Sequence, residues 1–169
     1  MSKRLVFSVV ALFAVCILST AVAAQDKSDN QSTSFCTFED GNEVSVRFQP
    51  LEFNRKNEPP VGKPWAPNGT PVLLFTPTSL TVGNSTVPTG AYSVYTVRNK
   101  SDWTLIINKN VSQGSTYDAA QDVVRVNMEA GKLSSVKPLN ITLGHIQPKV
   151  CSLQIVFGDT AVWTDLKQQ

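Results

Sequence analysis

The chain has 169 residues, 15 basic against 13 acidic, with a single histidine and a formal net charge of +2. The first 24 residues hold Lys3 and Arg4 and no acid, so beyond them 13 basic residues face 13 acidic ones. A neutral chain without a Lys/Arg run has no electrostatic reason to seek nucleic acid or an anionic membrane, and neither is expected as a partner.

Residues 1–24 read as a signal peptide. Lys3 and Arg4 form the positive region, Leu5 to Ile17 the short apolar region, and Ala21-Val22-Ala23 a small-x-small cleavage site, with Ala24 as an alternative one residue on. No stop-transfer pattern follows, so cleavage is expected rather than retention as a membrane anchor. Cys16 follows Phe13-Ala14-Val15, which lacks the leucine and small residue of a lipidation site. The expected location is periplasmic or extracellular. Gln25 to Ser34 is polar throughout and reads as a flexible leader; residues 35–169 have the composition of one domain large enough to bury a core.

Cys36 and Cys151 survive cleavage. In an oxidising compartment they are expected to pair, closing a long loop for an entropic gain of about 4 to 5 kcal/mol; the alternative is two separate buried thiols. Two cysteines and one His145 fall short of a structural zinc site, and no metal or other cofactor is expected.

After the first cysteine, Val44, Val46 and Phe48 alternate with Ser45 and Arg47, the period of a strand with one face buried. Asn54 to Pro71 holds five prolines and two glycines around Trp65 and reads as a long loop at the edge or mouth of the sheet. Trp65 either contacts a ligand or folds back to seal an open end of the core. Val72 to Phe75 and Leu105 to Ile107 are continuous apolar runs, suited to strands covered on both faces.

Between them lies the clearest signature, VPTGAYSVYTVRNKSDWTLIINK, Val87 to Lys109. A Pro-x-Gly turn launches a β-branched and aromatic strand, a polar break at Arg98 to Asp102 reverses it, and Trp103 to Asn108 returns. Tyr117 to Gln121 offers at most one or two helical turns. Val124, Val126 and Met128, then Leu153, Ile155 and Phe157, again alternate. The expectation is an all-β fold: an antiparallel, jelly-roll-like β-sandwich of eight to nine strands. Asn-x-Ser/Thr occurs at Asn30, Asn68, Asn84, Asn99, Asn110 and Asn140 and reads as a by-product of Asn-rich turns; in a eukaryotic secretory pathway these would be acceptors.

The central hairpin resembles the secreted bacterial family known as domain of unknown function 2911, with its Pro-Ala-Gly-x-Tyr-x-Leu hairpin and Glu/Asp-Trp-x-Ile strand. Pro88, Gly90, Tyr92, Asp102 and Trp103 fall on that pattern, as do Asp122 to Val126. Gly62-Lys63-Pro64-Trp65 resembles the family's Tyr-Gly-Lys-x-Trp segment, and LQIVFGDTAVWTDL its closing hairpin. The resemblance covers about Pro60 to Leu166 and implies an exported β-rich domain. One departure is plain: the family's Arg-x-Gly-Ala-Asn-Glu after the tryptophan is replaced by Ala66-Pro67-Asn68-Gly69-Thr70, so any polar site built on that cluster is lost or altered here.

The inventory for catalysis is thin. His145 lies in ITLGHIQP with no nucleophile-elbow motif, so no catalytic residue is assigned. Glu39, Asp40 and Glu43 cluster in a turn and read as solvated. The leading expectation is a non-catalytic binding or accessory module that takes a small molecule, glycan or peptide, with Trp65, Tyr95 and Trp163 as ligand-contacting candidates. The alternatives are an assembly protein acting through a sheet edge and a small hydrolase using His145.

Overall fold

The computed structural model describes residues 30–112 and 116–169. The expected signal peptide and residues 25–29 of the leader lie outside the described residues. Ten strands form: β1 (Ser32–Thr37), β2 (Glu43–Phe48), β3 (Pro64–Trp65), β4 (Val72–Thr76), β5 (Leu80–Val82), β6 (Ser85–Val87), β7 (Gly90–Arg98), β8 (Trp103–Asn108), β9 (Asp122–Gln147) and β10 (Val150–Gln168). Their ladders are antiparallel, in the order β1-β2-β4-β7-β8-β9-β10-β5-β6, with β3 beside β7.

The all-β expectation holds. The count is one or two strands higher than read from sequence because β3 is only two residues long and hidden among prolines. The weak helix at Tyr117 to Gln121 is a single 3-10 turn, Ala119–Gln121, capped by the Asp118 side chain accepting from the Ala120 N–H. Ser32 to Ser34, expected in the leader, belong to β1, and the Leu143 N–H donates to Ser34 Oγ at 2.9 Å.

Two long strands fold this path into a sandwich. Residues Asp122 to Met128 of β9 pair with β8, whereas Glu129 to Gln147 pair with β10, so β9 passes from one sheet into the other. The passage is irregular. The register jumps between Thr160↔Lys132 and Gly158↔Lys137, which leaves residues 133–136 of β9 unmatched and bends the strand. Alternating side chains then line a common interior. Val44, Val46, Leu74, Val94, Leu105 and Ile107 face Ile141, Leu143, Leu153 and Ile155 in one cluster. Burying each such side chain stabilises the fold by about 1.5 to 3 kcal/mol before entropy is counted.

Leu105, Ile106 and Ile107 are all fully buried, as a strand covered on both faces requires. Leu105 and Ile107 enter the main core, and Ile106 joins Tyr95 and Val97 in a second, smaller cluster on the outer face. Ala66 and Tyr117 cover that cluster.

Cys36 and Cys151 form a disulfide with Cα atoms 6.2 Å apart. It ties edge strand β1 of the first sheet to the start of β10 in the second. No helix among the described residues is long and apolar enough to cross a membrane.

Candidate functional site

The three aromatics singled out from sequence do not share a face. Trp65 pairs with Thr96 on β7 and points inward, its ring stacked on Phe157 with centroids 5.2 Å apart. Tyr95, one residue along from Thr96, points the opposite way and is 5% exposed, edge-on to Tyr117 at 5.2 Å. Trp163 stands opposite Glu129, to which its indole N–H donates at 3.0 Å, and its ring lies over Gly131. The Pro-rich segment is more ordered than a bare loop. Asn54 and Asn57 close a turn, the Gly62 N–H donates to the Arg98 carbonyl at 2.8 Å, and β3 lies in line with β4 along β7.

A concavity with a polar lining lies elsewhere, at the end of the sandwich where β7 turns into β8. It is a cleft of about 240 Å³. The turn Arg98 to Asp102 forms one wall, Ala130 to Lys132 and Thr160 form the other, and Trp103 lines it between them. The local sequence explains this shape. Trp103, Leu105 and Ile107 share the inward face of β8, so the tryptophan is the last residue of a core row, placed where the row meets solvent. The turn is held rigid: the Asn99 N–H donates to the Asp102 carbonyl at 2.8 Å, Asn99 Nδ2 to Asp102 Oδ1 at 2.5 Å, and Ser101 Oγ to Asp102 Oδ2 at 3.3 Å.

Two ion pairs flank the cleft. Arg98 bonds Glu58 at 2.5 Å and Lys132 bonds Asp159 at 2.8 Å. The hydrogen bond from Lys132, then that from Thr160, holds the Asp159 carboxyl below its ordinary pKa of 3.8. Arg98 and Lys132 are thus paired with Glu58 and Asp159, and the turn adds one charge of each sign, Lys100 and Asp102. The rim offers many hydrogen-bond donors and acceptors without a net charge to attract an ion.

His145 is exposed on β9 opposite Cys151, whose sulfur is bonded to Cys36. It lies at the far end of the β9–β10 ladder from Lys132 and Thr160. Its neighbourhood supplies no free thiol, and the cleft supplies no imidazole.

Arg98, Trp103, Lys132 and Thr160 were not chosen from sequence. Trp103 had a signal, an aromatic at the first position of a strand beside a polar turn, but it was read as part of the hairpin alone. Lys132 and Thr160 had none: they become neighbours only through the β9–β10 register.

The fold and cleft define a disulfide-stapled all-β sandwich with a cleft at one end. The chain belongs to the family described as a protein of unknown function (DUF2911), whose model matches residues 37–165. No curated protein and no solved structure matches the chain.

Proposed function

We propose that the domain is an exported, non-catalytic binding module whose cleft between the β7–β8 turn and Lys132 takes an uncharged, hydroxyl-rich ligand, in the first instance a glycan. The carrying observation is the lining of that cleft: an aromatic ring beside matched donors and acceptors on a turn ordered in advance. Charge balance at the rim disfavours a polyanion. Export is supported by the Cys36–Cys151 bond, a chemistry of oxidising compartments, together with the N-terminal targeting pattern.

The test is a glycan and peptidoglycan array probed with the mature domain and with Ser101→Trp, which fills the cleft from an exposed position. The expected result is a discrete set of glycans bound by the wild type and by His145→Ala and lost in Ser101→Trp. Binding that survives Ser101→Trp moves the site elsewhere, and binding that depends on His145 restores the hydrolase reading.

A further inference from the structure

Thr96 sits on β7 with its side chain toward the interior. It is 3% exposed, and its Oγ1 has no hydrogen-bond partner among the described residues. Two small cavities, each about 10 Å³, meet at this residue. Trp65, Thr96 and Ile155 wall both; Pro67, Val72, Val94 and Ile141 complete one, and Trp103 and Phe157 help to close the other.

An unbonded buried hydroxyl is costly and calls for a physical reason. Internal water is a poor one for the first cavity. A trapped water wants two to four polar partners, and apart from Thr96 the side chains there are apolar. An apolar space with a single hydroxyl suits an organic group that is itself apolar but for one polar atom.

The wall that limits the space is the Trp65 side chain, which is not fully buried. Trp65 belongs to a two-residue strand whose neighbour Pro64 has no N–H to give, and its ring is only half-buried.

We propose that the space beside Thr96 is the closed form of an interior pocket for a small, largely apolar molecule carrying one hydrogen-bonding group, which Thr96 Oγ1 recognises while the Trp65 ring gives way. The hydroxyl can donate or accept, so alcohols, phenols and ketones all fit the chemistry. The pocket is distinct from the cleft and does not depend on what the cleft binds.

Phenol and toluene, equal in shape and differing in one hydroxyl, are the probes. Each is titrated into wild type, Thr96→Val and Thr96→Ser, with methyl carbon shifts of Val94, Ile141 and Ile155 as the readout. The wild type should show saturable shifts at these methyls, with phenol bound about fivefold more tightly than toluene. Thr96→Val should erase that preference and Thr96→Ser should keep it. Thermal melts serve as the folding control; the wild-type and Thr96→Ser titrations decide the question if Thr96→Val does not fold. The proposal is overturned by no saturable shift from either probe, by equal wild-type affinities, by a preference that survives Thr96→Val, or by one that is lost in Thr96→Ser.

Discussion

The indole of Trp65 stacks on the ring of Phe157, centroids 5.2 Å apart and planes 28° from parallel. Phe53 meets the same phenylalanine edge-on at 5.2 Å. Trp65 comes from the Pro-rich segment and Phe157 from β10 in the other sheet, so this trio seals the gap between the layers. Trp65→Ala is therefore expected to cost about 3 kcal/mol of stability in denaturant melts. A loss well under about 1 kcal/mol would mean that the ring does not seal the core and would return Trp65 to the ligand-contacting residues.

The Cys36–Cys151 bond spans 115 residues of sequence and joins the two sheets. Replacing both cysteines by serine should lower stability by about 4 kcal/mol, mostly through the unfolded chain. Peptide mapping without reductant should recover the two cysteine peptides linked. Free, alkylatable thiols in protein from an oxidising compartment would contradict the pairing.

Gly158 lies at the irregularity in β10 with φ +64, and a Cβ there would fall 2.7 Å from the Phe53 ring. Both backbone and space exclude a side chain. Gly158→Ala should cost at least about 1 kcal/mol, whereas Gly144→Ala, with open space around it, should cost less. Equal costs for the two would show that the bend tolerates a side chain.

Tyr117 donates to Asp122 Oδ2 at 2.7 Å and accepts from Arg125, while Asn108 Nδ2 donates to Asp122 Oδ1 at 2.7 Å. Burial, and then the hydrogen bond to Asp122, raise its phenol above the ordinary pKa of 10.0. A raised pKa in the fold means that the unfolded chain releases its proton first. This contribution to stability is whole below pH 10.0 and is lost as the pH rises through the folded value. Melts across the alkaline range should show a steeper decline for wild type than for Tyr117→Phe. Parallel curves would detach the tyrosine from this network.

How much was legible follows from the range of each interaction. Val44, Val46 and Phe48 are all buried, as their alternation required, because a strand's face is set by neighbours two residues apart. The hairpin Gly90–Arg98 and Trp103–Asn108 was legible for the same reason. The direction of Trp65 was left open, since it depends on where Pro64 and Trp65 dock against Val97 and Thr96, some thirty residues on. Choosing Tyr95 from sequence missed its burial, because the cover comes from Ala66 and Tyr117, both outside the strand. The cleft was half visible: the turn at Asn99 to Asp102 could be read, but Lys132 and Thr160 are brought to it by a ladder whose register breaks beside them.

The central claim is that the end of the sandwich beside Trp103 is where the domain meets its ligand. The most direct measurement is an amide-shift titration of the mature domain with an array-positive glycan. Saturable changes should centre on Lys100 to Trp103 and Ala130 to Lys132, with Thr160 among them, and should leave His145 and the β5–β6 turn unmoved. Saturable changes centred at His145, at the β5–β6 turn or along the β1 edge, with the cleft residues silent, would contradict it.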